Sequence, residues 1–237
     1  MKMAMVRIGV DTGSGGIHGP LFQDGSFEYI PIPDGFGIDP RTYGTTLGHN
    51  GARLVEYFPK SWWGKMESQS IHVDPEFATF TYGDPTAPKA GLRRLEQGDL
   101  LVFYCGLGGW NFRAEPALYL MGYFEVETAG YAADYTTEQL NLLFGENFHV
   151  KHPAIFEAQK DRLVLVKGNA NSRLLKKAVL LSGWGQDRAG RPIKTLSAQM
   201  QQIFGHFDGK LSFQRSPTRW VLPEFVEKAA VFMRSLE

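Results

Sequence analysis

Apolar positions between residues 95 and 126 follow a pattern that predicts the centre of the molecule. In residues 100–105, Leu100, Val102 and Tyr104 point one way and Leu101, Phe103 and Cys105 the other. A strand there is apolar on both faces and belongs in the middle of a core. In residues 118–126, Leu118, Leu120, Phe124 and Val126 share one face and Tyr119, Met121, Tyr123 and Glu125 the other, with Gly122 placed where a strand bends. Gly98 and Asp99 predict a turn into the first strand, and the glycines from Gly106 to Gly109 loosen the link to the second. Further strands are predicted at residues 5–10, 27–32, 162–167 and 178–181, and on either side of Pro75 within residues 71–82. Pro31 and Pro33 confine the 27–32 strand to an edge. A threonine cap and a closing Gly145 predict a helix over residues 136–144, and residues 50–58 read as a shorter one. Two packing helices follow near the end. Residues 195–204 place Leu196, Met200, Ile203 and Phe204 together, and residues 224–236, behind Pro223, place Phe225, Ala229, Phe232, Met233 and Leu236 together.

Between these elements, residues 34–70 have poor periodicity, yet Tyr57, Phe58, Trp62 and Trp63 argue against disorder. They are expected to form a long ordered insertion, a length that tends to serve function. The expected whole is one α+β domain over residues 1–237: an N-terminal hairpin and insertion (1–84), central strands (90–182) in a mostly antiparallel barrel or curved sheet, and C-terminal packing helices (190–237).

The 237 residues suffice to bury a sizeable core. Twenty-five basic and twenty-five acidic residues cancel, which argues against nonspecific coating of nucleic acid, so any contact with it is expected to be local. The 27 glycines exceed the usual share of about 7% and imply tight turns. Cys105, the single cysteine, excludes an internal disulfide and reads as a small buried hydrophobe. With no leader-like apolar run after Met1 and no stretch of eighteen apolar residues, a cytoplasmic location without membrane spans is expected.

Three polar stretches carry candidate chemistry. The first is the turn Asp11-Thr12-Gly13-Ser14 after an apolar strand, followed by His18. An aspartic protease would need a second such turn, and an actin-like or sugar-kinase loop a second lobe and a longer chain. The favoured readings are a hairpin loop whose Asp11 and Thr12 satisfy backbone amides, and a ligand loop whose amides, Ser14 and His18 meet a phosphate or base edge. The second stretch, His72-Val73-Asp74, puts a histidine and a carboxylate on one face of a strand. Beside His18 or His49 these would form an acid-base pair or a metal site, while Asp74-Pro75 also starts turns. No metal or cofactor is assigned. His149 and His152, ahead of Pro153, read as surface or capping residues. The third stretch, Lys167-Gly168-Asn169-Ala170-Asn171-Ser172-Arg173, joins amides, a hydroxyl and two cations in one turn, and Tyr82 and Trp110 offer stacking faces for a base.

Leu95, Gly98-Asp99, Val102-Phe103-Tyr104 and residues 122–126 follow in an order that resembles the PUA-like barrels of the EVE, ASCH and YTH group. A broader likeness rests on residues 8–22 (Ile-Gly-Val-Asp-Thr-Gly-Ser-Gly-Gly-Ile-His-Gly-Pro-Leu-Phe), 72–84 (His-Val-Asp-Pro-Glu-Phe-Ala-Thr-Phe-Thr-Tyr-Gly-Asp) and 98–104 (Gly-Asp-Leu-Leu-Val-Phe-Tyr). These resemble the third nucleotide-modification-associated domain family. The resemblance implies a DNA-modification setting, with other modification proteins as partners, and supplies no catalytic residue. The favoured expectation is binding of a modified nucleotide or flipped base by Asp11, Thr12, Ser14, His18, His72, Asp74, Tyr82, Trp110, Lys167, Asn169, Asn171, Ser172 and Arg173. The alternative is a hydrolase or transferase acting on a nucleotide or modified base, with Asp11, His18, His72 and Asp74 as its reactive groups.

Overall fold

A computed structural model describes residues 1–187, 189–207, 209, 213 and 217–237. In chain order its strands are β1 (Met3–Arg7), β2 (Gly19–Leu21), β3 (Ile32–Pro33), β4 (Ile71–His72), β5 (Thr81–Asp84), β6 (Leu100–Gly109), β7 (Ala117–Tyr131), β8 (Val164–Gly168), β9 (Arg173–Leu180), β10 (Ser182–Gln186), β11 (Pro192–Leu196) and β12 (Arg219–Trp220). The α-helices are α1 (Trp63–Met66), α2 (Thr137–Phe144), α3 (Phe148–Lys151), α4 (Pro153–Gln159), α5 (Ala198–Phe204) and α6 (Pro223–Ser235).

The doubly apolar strand is where the pattern placed it. Every side chain of β6 from Leu100 to Leu107 is buried, and β7 runs antiparallel beside it. Phe103 faces Gly122 but Tyr104 faces Leu120, so Met121 is an extra residue and the strand bulges next to the predicted bend. A side chain at Gly122 would come within 2.7 Å of the Arg173 carbonyl and 2.9 Å of the Phe77 ring, which is why the strands close up only over glycine. Phe77, Phe103 and Phe124 meet edge to face there, with centroids 4.6 to 5.5 Å apart. Each such contact adds about 0.5–1.5 kcal/mol beyond burial.

Eight strands form one mixed sheet in the order β12-β1-β6-β7-β8-β5, with β2 also on β6 and β9 also on β7. The path has two ends, so the expected barrel is corrected to an open sheet. Most pairings are antiparallel, as expected, but β1 and β2 depart from this and both run parallel to β6 along successive parts of its length. The physical reason lies in burial. Met3 to Val6 are fully buried, and such an apolar strand is satisfied by a place between β6 and β12 rather than in a half-exposed hairpin with residues 27–32. What links those two stretches is the amide of Val10 donating to the Ile30 carbonyl at 2.9 Å.

The insertion is ordered around an apolar centre of its own, made by Tyr43, Leu54, Val55, Tyr57, Phe58 and Met66 against Val10, Ile30 and Ile71. The helix expected over residues 50–58 shrinks to a 3-10 turn at Leu54–Tyr57. Thr136 caps α2 as predicted, accepting from the Gln139 amide at 3.2 Å. Among the described elements with no counterpart in the pattern are the β10–β11 hairpin and the α3–α4 pair, in which His152 ends one helix and Pro153 starts the next. Near the C-terminus α5 begins only at Ala198, and α6 buries Val226, Ala229, Ala230 and Met233. No helix among the described residues is long and apolar enough to cross a membrane.

Candidate functional site

The 71–82 stretch folds as two short strands because β4 pairs with β3, placing His72 opposite Ile32, while β5 pairs with β8. Asp74 leaves the end of β4 and turns its carboxylate onto β5, where the Gly83 amide lies 3.1 Å from both of its oxygens. On the other side stands α3. Its cap, Asn147, accepts from the His149 amide at 3.1 Å and donates to Asp74 Oδ1 at 3.3 Å, so one buried side chain fixes both the helix start and the carboxylate. His149 then brings Nε2 to 3.5 Å from Asp74 Oδ2. Its Nδ1 lies 2.7 Å from Oε1 of Gln159, the last residue of α4. The His72 ring stacks on Phe148 at 3.8 Å and meets the His149 ring edge-on at 4.9 Å.

One ligand-type atom from each of His72, Asp74 and His149 lies within 4.8 Å of the others. All three line a cavity of about 480 Å³, within the usual range of small-molecule sites. Its other walls include Ile32, Phe36, Tyr82, Pro85 and Pro88, with the cations Arg7 and Lys89 among the polar lining. Phe36 is 57% exposed, so an apolar ring stands at the mouth with a face free to stack. The Tyr82 hydroxyl donates to Asp84 Oδ2 at 3.0 Å.

Burial dominates the electrostatics. It pushes the Asp74 carboxyl up to about 6, although contact with His149 works against the shift. For His149 burial pulls down, but the hydrogen bond and charge of Asp74 outweigh it and the imidazole is raised. The two behave as one coupled pair. His72 is held down to about 3 by burial first and by His149 second, so at neutral pH its ring is uncharged.

Of the residues singled out in the sequence, His72, Asp74 and Tyr82 thus meet at one wall. Asp11 reaches the cavity indirectly: its Oδ2 lies 3.2 Å from the Arg7 guanidinium, and Arg7 is a lining residue. The Asp11 turn uses its own amides, since Gly13 donates to Asp11 Oδ1 and both Ser14 and Gly16 donate to the Asp11 carbonyl. Those donors are engaged within the loop rather than aimed at a ligand, and Asp11 satisfies a backbone amide as expected. Thr12 is exposed, and Ser14 is half-buried beside it. A second hollow of about 520 Å³ lies against Gly15, Gly16 and Trp62. His18 sits near Arg7 and Lys194, and burial followed by those two cations lowers its pKa. Trp110 packs edge-on to Tyr57 at 5.2 Å in the insertion core.

The third stretch is placed away from the cavity. Asn169 and Asn171 donate to Glu125 Oε1 at 3.3 and 3.1 Å, and Ser172 Oγ accepts from the Glu125 amide. Arg234 of α6 pairs with the same carboxylate at 2.8 Å. Arg173 covers the Tyr123 ring, and Lys167 donates to the Thr79 carbonyl. These groups tie the last helix to β7. His49, once a possible neighbour of His72, is exposed in the insertion.

His149, read from the sequence as a surface or capping residue, is instead 3% exposed and faces Asp74; the sequence hid this because it comes from a different element than the His72–Asp74 pair. Its signal was Asn147, an N-cap residue two positions ahead, with Pro153 opening the next helix. The family model described as nucleotide modification associated domain 3 matches residues 2–234. No curated protein and no solved structure matches the chain.

Proposed function

Since the chain belongs to the nucleotide modification associated domain 3 family, we propose that the cavity between β4, β5 and α3 holds a nucleotide or a modified base, and that the His72–Asp74–His149 group at its wall acts on it. The observation that carries this reading is a trio of mutually close polar groups, one buried and two half-buried, facing a hollow of nucleobase scale. Phe36 offers a stacking face, and Arg7 and Lys89 offer charge for a phosphate. Zero net charge fits a ligand met locally, as a free nucleotide or a base turned out of a strand, rather than a coated duplex.

The test is titration of the purified protein with nucleoside monophosphates and with short oligonucleotides carrying modified bases, followed by mass spectrometry of the recovered nucleosides. Binding weakened at least tenfold by Phe36→Ala and by Arg7→Ala, with a changed nucleoside recovered from the parent protein, is the expected result. Binding without change would make the protein a reader of the base. Parent-like binding by both variants, or no binding at all, would remove the ligand from this cavity.

A further inference from the structure

We propose that His72, Asp74 and His149 bind a divalent first-row transition-metal ion whose open coordination positions face the cavity. The inference rests on the reading of the cavity as the functional site, and it names the reactive group there.

The argument begins with His149. With Gln159 Oε1 accepting from Nδ1 at 2.7 Å, Nδ1 keeps its proton and Nε2 is the nitrogen turned toward the site. It stands 3.5 Å from a carboxylate oxygen, in a place where both side chains are 4% exposed. Such a pair is arranged around a positive centre, which a shared proton supplies and a metal ion would supply on displacing it. His72 brings a third donor into the same space. A ring nitrogen hydrogen-bonded to a fixed acceptor, with its opposite nitrogen turned to the site, is also how metal-binding histidines are held. Asp74 has the matching support. The Gly83 amide and the Asn147 side chain hold the carboxylate from behind and leave Oδ2 toward the histidines.

The donor set selects the class of ion. Two imidazoles and one carboxylate suit Zn²⁺, Fe²⁺, Co²⁺ or Mn²⁺, whereas Mg²⁺ and Ca²⁺ take oxygen. Around a metal with bonds near 2.1 Å, tetrahedral donors stand about 3.4 Å apart. Asp74 and His149 already have that spacing, and the wider limit of 4.8 Å for the trio requires one ligand to close by on the order of 1 Å. His72 can supply it by sliding on the Phe148 ring. Three protein ligands leave one or more positions for water or for a substrate atom, the arrangement of catalytic rather than structural sites.

The experiment loads metal-stripped full-length protein with Zn²⁺, Co²⁺, Fe²⁺ or Mn²⁺, using Mg²⁺ as the control, and measures stoichiometry by elemental analysis and affinity by calorimetry. One equivalent of a transition ion and no retained Mg²⁺ are expected. His149→Ala and His72→Ala should each weaken binding at least tenfold. A readout that needs no variant is the proton NMR spectrum of the wild-type protein with Co²⁺, in which two histidine rings should show large paramagnetic shifts. Failure to retain any of the four ions, or Co²⁺ shifts on other histidines, would overturn the metal site. Nucleotide binding that persists in the metal-stripped protein would leave the cavity reading standing when the metal fails, so the two ideas fall separately.

Discussion

Asp39 has no exposed side-chain surface and is enclosed by the cations Arg41 at 2.8 Å and Lys151 at 3.1 Å, with the His152 ring at 3.3 Å. It ties the insertion to α3, next to the helix residue that faces the cavity. Burial alone would raise the carboxyl, but the Arg41 side chain and amide, together with Lys151, outweigh it and hold it well below its usual value of 3.8. A carboxyl lowered in the folded state adds stability that is complete above its unfolded pKa and is lost as pH falls through the folded value. Asp39→Asn should therefore cost about 3 kcal/mol near neutral pH, from cations left beside a neutral amide. In urea unfolding, the gap between parent and variant should be widest at about pH 7 and narrow by about pH 3; an equal gap at both would contradict the ion-pair account. This residue was not legible in the sequence, since Asp39 precedes Pro40 in a stretch without periodicity. His72 and Asp74 were legible, because residues two apart in a strand share a face whatever the fold does elsewhere.

At the scale of elements, the site depends on how closely β5 and α3 approach. A Cβ at Gly83 would come within 2.9 Å of both Asn147 Oδ1 and the His149 ring, and neither can retreat without loosening its hold on Asp74. Gly83→Ala should cost about 1–3 kcal/mol by overpacking, and transition-metal affinity should fall at least tenfold while the circular dichroism spectrum is kept. Parent-like affinity would mean that the helix is not set by this contact. Long periodic elements were legible beforehand: β6 from its two apolar faces, α2 from Thr136 and Gly145, α6 from its stripe behind Pro223. The α3 and α4 helices were not, since four and seven residues hold too few turns for a period to register. The β10–β11 hairpin was hidden differently. Trp184 is 61% exposed and lies under Lys194, so its pairing leaves little apolar alternation to read.

For the whole molecule, local pattern predicted the class, α and β elements around an apolar sheet, but not which strands lie side by side. Parallel pairing joins residues some hundred positions apart, and nothing in Met3–Arg7 marks Leu100–Tyr104 as its neighbour. The other edge of β1 is covered still later, by Arg219 and Trp220 facing Met5 and Ala4. Both edges of β1 are thus covered only by residues distant from it in the chain. A polypeptide ending before residue 217 would leave one edge of this largely apolar strand unpaired and open to its fellows. Expressed with residues 217–237 deleted, the protein should partition into the insoluble fraction, and a soluble, monomeric product would show that β6 alone suffices to shelter its first strand.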